Sequence, residues 1–330
     1  MPTDSTRVLV TGAGGFIGSH VVEHLARKGA RVTALIHYNA NRHLGNLHRI
    51  DPKLLASCEV VLGDINDPEF AAILLQDQDV VIHLAALIGI PYSYQSPRSY
   101  LQTNAEGTLN LLEACRRHNP RRFIFASTSE VYGSARQIPI DETHPLQAQS
   151  PYSASKIAAE ALVEAYRRNF SVPAVILRPF NTFGPRQSPR AVIPTIITQA
   201  LAGGPLRLGR TDTVRDFTFV DDTVEGILAA ALGENIGGGP YNLGCGTGWA
   251  IEEVARQVLS QLGQTCEIVQ EDQRLRPELG EVDCLISSHQ QFHQATGWQP
   301  RVEFAEGLRR TLDFWRQEEK EPNSSSLYVV

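Results

Sequence analysis

No stretch of this 330-residue chain holds the about 20 consecutive apolar residues that a membrane-spanning helix needs, and Met1 to Thr6 is polar, without the hydrophobic core of a signal peptide. A membrane span and a secretory leader are therefore not expected, and the expected location is the cytoplasm. Cysteine is sparse. Cys58, Cys115, Cys245, Cys266 and Cys284 are odd in number and far apart, and no C-x-x-C pair is available for metal or redox work, so they read as small buried hydrophobes. The histidines show no H-E-x-x-H or comparable spacing, and a metal site is not expected. No cluster of Lys and Arg stands out, and 30 of them against 36 Asp and Glu leave a net charge of −6. That balance argues against a nucleic-acid partner, whereas a small anionic ligand needs only a few local cations. Internal repeats are absent as well.

What is present is the composition of a folded enzyme-sized protein. A hydrophobic share of 42% with 26 Gly and 19 Pro is too apolar for disorder and too poor in Gly and Pro for a fibrous chain. At roughly 150 residues per domain the length allows two. Short apolar runs at Arg7 to Thr11, Arg31 to Ile36, Glu59 to Leu62, Val80 to Leu84, Arg122 to Ala126 and Ala174 to Leu177 alternate with helical patterns, the longest near Ser99 to Arg117 and Ala154 to Arg168. Strands alternating with helices predict right-handed crossovers and a doubly wound parallel sheet covered on both faces. The regularity fails after Arg178, which is itself assigned to structure. The expected division is an α/β dinucleotide-binding domain over 1–178, a smaller mixed α/β substrate-binding module over 179–317, and a charged, Ser-rich, frayed tail over 318–330.

Gly12, Gly15 and Gly18 in GAGGFIG follow the first strand and open a helix, where glycine permits a tight turn and lets a diphosphate approach backbone N–H groups at the positive helix end. No Gly-Lys-Ser/Thr follows, which excludes a phosphate-transfer loop. In a dinucleotide fold, an acidic residue about 20 positions on holds the ribose of NAD. Here the second strand ends Ile36, His37, Tyr38, Asn39, with no carboxylate. His37 and Arg42 suit a 2′-phosphate, and Arg42 equally suits a solvated loop, so NAD and NADP both stay open. Asp64, after the third strand, suits either the adenine amino group or a turn cap.

Tyr152 and Lys156 stand four apart at the start of a predicted helix and so project from one face. An ammonium beside a phenol lowers the tyrosine pKa and makes a base for a sugar hydroxyl as hydride leaves the carbon. Ser127, Thr128 and Ser129 at the end of the fifth strand face the ligand crevice of an open sheet.

With these residues in view, the chain resembles the extended short-chain dehydrogenase/reductase family of nucleotide-sugar epimerases and dehydratases. The resemblance rests on VTGAGGFIGSH from Val10, GDI from Gly63, HLAA from His83, Asn104 in TNAEGT, STSEVYG from Ser127, YSASK from Tyr152, RPFNTFGP from Arg178 and RDFTFVDD from Arg215, in the family's order over nearly the whole chain. It implies a Rossmann-type fold. It also implies a tightly bound NAD or NADP, regenerated each turnover and lined by Gly12, Gly15, Phe16, Ile17, Gly18, His37, Arg42, Asp64, Ile65, Leu84, Ala85, Ala86, Asn104, Tyr152 and Lys156. Within the family, Glu130 discriminates. A 4-epimerase needs only Tyr, Lys and a hydroxyl, whereas a 4,6-dehydratase needs a carboxylate for the C5 proton. Thr128, Ser129 and Glu130 match the dehydratase pattern of the GDP-mannose 4,6-dehydratases. HLAALIGIPYSY, HPLQAQSPYSASK and PRAVIPTIITQAL look like the legionaminate-pathway dehydratases that act on nucleotide-activated N-acetylglucosamine.

The reaction implied is an NAD(P)-dependent 4,6-dehydration of a nucleotide-activated hexose, with Thr128, Ser129, Glu130, Tyr152 and Lys156 as the catalytic set. Glu130 itself, or Ser129, supplies the proton to the leaving hydroxyl. The alternatives are a 4-epimerase, a UDP-glucuronate decarboxylase, since UDP-xylose synthases share SEVYG, and a non-catalytic sensor of nicotinamide redox state. By the same resemblance Asn181, Arg186, Arg215 and Arg276 hold the nucleotide diphosphate. A homodimer is expected through a four-helix bundle of the two long helices, with Leu109, Leu112, Ala158, Ala161 and Leu162 at its seam.

Overall fold

The computed structural model describes residues 6–234, 236–271, 274 and 280–318. In chain order the first half runs β1 (Arg7–Thr11), α1 (Phe16–Arg27), β2 (Arg31–His37), α2 (Pro52–Ala56), β3 (Glu59–Gly63), α3 (Pro68–Leu75), β4 (Val80–His83), α4 (Ile90–Gln95), α5 (Pro97–Leu101), α6 (Gly107–His118), β5 (Arg122–Ala126), α7 (Pro151–Phe170) and β6 (Ala174–Pro179). The second half continues β7 (Asn181–Phe183), α8 (Val192–Ala202), β8 (Leu206–Leu208), β9 (Val214–Phe219), α9 (Val220–Leu232), β10 (Tyr241–Leu243), β11 (Gly248–Ala250), α10 (Ile251–Leu262), β12 (Ile268–Gln270), β13 (Cys284–Leu285), α11 (Gln290–Thr296) and α12 (Phe304–Glu318). The long helix expected near Ser99 to Arg117 is α5 and α6 joined through a π turn, Gln102–Glu106.

Seven strands form one parallel sheet in the order β10-β6-β5-β4-β1-β2-β3. The chain winds outward in both directions from β1, which places the topological switch point between β1 and β4. The central strands are apolar on both sides because each side is covered. Val8, Val10, Ile82, Ile124 and Leu177 face one core with α1 and α9, while Leu9, Val81, Phe123, Phe125 and Ile176 face the other with α3, α6 and α7. Every such residue is buried, and full burial of a Val, Leu, Ile or Phe contributes about 1.5–3 kcal/mol. Both the seventh strand and the covering helix α9 come from beyond Arg178, so the second half of the chain completes the first half's sheet. A smaller mixed sheet, β11-β9-β13 with β7 beside β9, and the pair β8 and β12 form the rest of that half.

Leu112 is wholly buried in the core, Leu109, Ala158 and Leu162 are half-buried, and Ala161 is exposed. Among the described residues no helix is long and apolar enough to cross a membrane.

Candidate active site

The carboxyl ends of β1, β4, β5 and β6 bring the predicted residues to one edge of the sheet, around the switch point. Gly12 follows β1 with φ of +69°, and a Cβ there would lie 2.7 Å from the Ala85 nitrogen. Gly18 is equally constrained, since a Cβ would come within 2.2 Å of the Gly12 carbonyl oxygen. The two glycines let α1 start directly against the β1 and β4 ends, and its N-cap, Gly15, supplies no side-chain cap. The first amides of α1, Phe16 and Ile17, therefore head a positive helix end suited to a diphosphate. Ser127 is 5% exposed, and its Oγ has no hydrogen-bond partner among the described residues, which is costly unless a ligand completes it. The glycine cradle, the uncapped helix and this hydroxyl fit a dinucleotide.

At the end expected for adenosine, Asp64 caps a turn. Its Oδ1 accepts from the Asn66 amide at 2.9 Å, capping the turn, and its Oδ2 stands 3.7 Å from His37 Nε2. His37, the last residue of β2, and Arg42 beyond it are exposed. Ile65 is buried. Leu84, Ala85 and Ala86 follow β4, whose end is pinned through His83. Its Nδ1 meets Thr11 Oγ1 at 2.8 Å and its Nε2 meets Thr108 Oγ1 at 3.0 Å. Thr108 donates its own hydroxyl proton to the Asn104 carbonyl at 2.6 Å, so the proton between it and His83 belongs to Nε2 and the imidazole is neutral. Burial first, and the Lys156 charge second, lower the His83 pKa to about 3, in keeping with that assignment. Asn104 lies in the π turn, and its side chain ties three elements: it accepts from the Leu87 amide at 2.8 Å, donates to the Leu87 carbonyl at 2.9 Å and donates to Ser155 Oγ at 2.9 Å. A π turn inside a helix is frequent at functional sites.

The start of α7 fixes the catalytic pair. Ser150 caps the helix by accepting from the Ser153 amide at 3.1 Å, and Pro151 occupies the first turn. Tyr152 and Lys156 then fall one turn apart, 7% and 3% exposed. Thr128 stands near the Tyr152 hydroxyl and acts to lower its pKa, while the Glu130 charge acts to raise it. Glu130 follows in the same turn, its amide donating to Thr128 Oγ1 at 3.2 Å, and Ser129 between them is buried. Tyr100 from α5 stands edge-on to Tyr152, ring centroids 6.2 Å apart, and with Leu87 and Ile90 gives the phenol an apolar wall.

One expectation is corrected here. The lysine was expected to lower the tyrosine pKa, but burial, the largest influence, pushes Tyr152 up. Lys156 itself is pushed down to about 7 by burial, partly offset by Glu160. Its Nζ donates to the Ala126 carbonyl at 2.6 Å, which makes the lysine an anchor between α7 and the end of β5.

Beneath this pair lies a buried network. Arg178 forks onto Glu160 at 2.9 and 2.6 Å and donates to Tyr132 Oη at 2.9 Å; Tyr132 donates to Asn242 Oδ1 at 2.7 Å. The structural assignment of Arg178 holds.

Of the residues expected at the diphosphate, Asn181 and Arg215 lie on the paired strands β7 and β9. Asn181 opens β7 and is half-buried. Arg215, 5% exposed in β9, donates to Glu281 at 3.3 Å and to the Val214 carbonyl at 3.0 Å. Arg186 is not gathered with the catalytic groups: its guanidinium is committed to Glu23 of α1 at 2.6 Å. Arg276 lies outside the described residues. Sequence reasoning missed Arg190, an exposed cation whose charge acts on the Tyr100 hydroxyl; the signal was in PRAVIPTIITQAL, read there as a resemblance rather than as a charge.

The chain matches the family model described as GDP-mannose 4,6 dehydratase over residues 9–311. It is 34% identical to a dTDP-glucose 4,6-dehydratase of Streptomyces antibioticus, over 94% of this chain and 92% of that one. It is 32% identical to a UDP-glucose 4-epimerase of Mycolicibacterium smegmatis, over 94% and 98%. Among solved structures, a UDP-glucuronic acid 4-epimerase of Bacillus cereus in complex with UDP-glucuronic acid and NAD superposes with a TM-score of 0.86 at 32% identity, over 95% of this chain and all of the other.

Proposed function

This chain belongs to the extended short-chain dehydrogenase/reductase family of nucleotide-sugar dehydratases and epimerases, and on that footing we propose that it is an NAD-dependent nucleotide-sugar 4,6-dehydratase forming a 4-keto-6-deoxy sugar nucleotide. The observation that carries this reading is Glu130, held in one turn with Thr128 and close enough for its charge to act on Tyr152. A 4-epimerase gives a carboxylate at that place no chemical task. NAD rather than NADP is supported by the solved 4-epimerase that holds NAD. When bound, the dinucleotide would supply acceptance of a hydride from C4 of the sugar and its return at C6. His37, Arg42 and Asp64 would lie at its adenosine end and the amides of Phe16 and Ile17 at its diphosphate.

The chain's own groups move the protons. Tyr152 Oη, as the phenolate, takes the 4-hydroxyl proton, with Thr128 near it, while Lys156 ties the turn of α7 that carries it to the Ala126 carbonyl. The 4-ketone acidifies C5, whose proton passes to Glu130. The 6-hydroxyl leaves as water, its proton given by Glu130 or through Ser129, and C5 takes up a proton from solvent through Tyr152 as C6 is reduced. Tyr100, Leu87 and Ile90 exclude water from the phenol. An apolar wall of this kind suits the methyl of a 2-acetamido group, so an N-acetylglucosamine nucleotide is the favoured substrate. Asn181, Arg190 and Arg215 are the groups assigned to its diphosphate. We further assign the working form to a cytoplasmic homodimer pairing α6 and α7.

The second reading, a 4-epimerase, is favoured by a relative of that name at 32% identity, against 34% for the dehydratase. Glu130→Gln separates the two: the dehydratase reading expects water loss to stop while nucleotide-sugar binding persists, and unimpaired turnover would remove Glu130 from the mechanism.

A further inference from the structure

Arg186 ends up far from the role first assigned to it, and its surroundings explain why it is buried. Three segments meet there. The turn after β7 brings Pro185 and Arg186 against α1, where the Pro185 carbonyl meets His20 Nε2 at 3.0 Å and Arg186 Nη2 donates to Glu23 Oε2 at 2.6 Å. Glu23 also accepts from Arg27 at 2.5 Å on its other oxygen. The side chains of Arg186 and Glu23 are only 11% and 10% exposed. Arg186 holds a left-handed backbone conformation, φ +68°, unfavourable for a residue with a Cβ and here enforced by its contacts.

The third segment joins this point to the glycine turn. Asn46 Nδ2 donates to the Arg186 carbonyl at 3.0 Å, while the Asn46 amide donates to the Gly14 carbonyl at 2.8 Å. The fit is close: a Cβ on Gly45, which has φ of +58°, would lie 2.4 Å from the Gly14 carbonyl oxygen. Because the peptide is planar, fixing the Gly14 carbonyl also fixes the Gly15 N–H, which donates back to the Gly12 carbonyl at 3.0 Å. The turn is thus held from both sides, with the Phe16 and Ile17 amides at its head.

We propose that Arg186, with Glu23 and Asn46, is a clasp that holds the glycine turn in its anion-binding shape, so that these positioning residues set the affinity for the dinucleotide. The clasp rests on the dinucleotide reading of the glycine turn and is independent of whether the enzyme dehydrates or epimerises. It joins the segment that leaves β7, whose first residue is Asn181, to the cofactor side of the cleft.

The test is titration of dinucleotide-stripped full-length protein with NAD+, followed by tryptophan fluorescence, alongside the melting temperature without ligand. Arg186→Met leaves Glu23 paired with Arg27, and Asn46→Ala keeps the amide that binds Gly14. Loss of one charge-assisted contact predicts a Kd for NAD+ raised about tenfold in Arg186→Met, and loss of one neutral hydrogen bond about threefold in Asn46→Ala. Arg186→Lys, which keeps the ion pair, should restore most of the affinity. If both variants melt lower yet bind NAD+ within twofold of the wild-type chain, the clasp is merely structural and the proposal fails. Should Arg186→Met not fold, Asn46→Ala decides alone. Failure of the wild-type chain to bind NAD+ would instead overturn the dinucleotide reading on which the clasp stands.

Discussion

Lys156 Nζ donates to the carbonyl of Ala126, the last residue of β5, at 2.6 Å and lies 4.2 Å from the centre of the Phe125 ring. The lysine thereby fastens the catalytic turn of α7 to the strand end that continues into Thr128. Its removal deletes a charge and a tie together. Lys156→Met should lower turnover about 10²- to 10³-fold, in the range of a lost acid–base group. Lys156→Arg should rescue little, because a planar guanidinium does not fit a position 3% exposed. Tyr152→Phe should abolish turnover while sparing nucleotide-sugar binding. Steady-state rates and equilibrium binding on the three variants check this, and wild-type turnover in Lys156→Arg would contradict the anchoring role.

The Arg178–Glu160 pair carries a stability prediction. Both side chains are 5% exposed. Glu160→Gln leaves a buried guanidinium without its counter-charge and should cost about 3–5 kcal/mol in urea unfolding, whereas Glu160→Gln combined with Arg178→Met should recover much of that loss. Equal losses in the single and double variants would mean that the ion pair is not the source of the cost.

Two histidines predict acid sensitivity. Burial is the first cause of lowering in both, taking His20 to about 4 and His83 to about 3 from an unfolded value near 6.5. As pH falls from about 6.5 toward 4, the unfolded chain gains protons that the folded chain refuses. Their contribution is therefore complete above about pH 6.5 and is lost below it, at about 1.4 kcal/mol per pH unit for each histidine. Urea midpoints between pH 7 and 5 should fall accordingly. His20→Gln, which can still meet the Pro185 carbonyl, should flatten the slope by one proton's share; an unchanged slope would remove His20 from the account.

Much of the fold was legible because its signals are local. The apolar runs ending at Thr11, Ala126 and Leu177 are long enough to fill a two-sided sheet, whereas the helix expected over Ala154 to Arg168 starts earlier, at Pro151, because Ser150 caps it. The seventh strand was not legible: Tyr241–Leu243 is three residues long and pairs with β6 far upstream in the chain. The π turn at Asn104 likewise leaves no mark, since its residues suit an ordinary helix. In the site, the glycines and the Tyr152–Lys156 spacing could be read from backbone geometry and helix periodicity. Partner choice could not. Whether a guanidinium meets a phosphate or a carboxylate depends on long-range packing, and so Arg186, directly after the motif that holds Asn181, proved to be engaged by Glu23.

The central claim is water loss from a nucleotide-activated hexose. It is tested most directly by mass spectrometry of the purified enzyme incubated in heavy water with UDP-, GDP-, dTDP- and CDP-hexoses, the N-acetylglucosamine forms included. The account predicts a product lighter by one water that carries solvent deuterium at C5. A sugar changed in configuration at unchanged composition would contradict it and return Glu130 to a structural role.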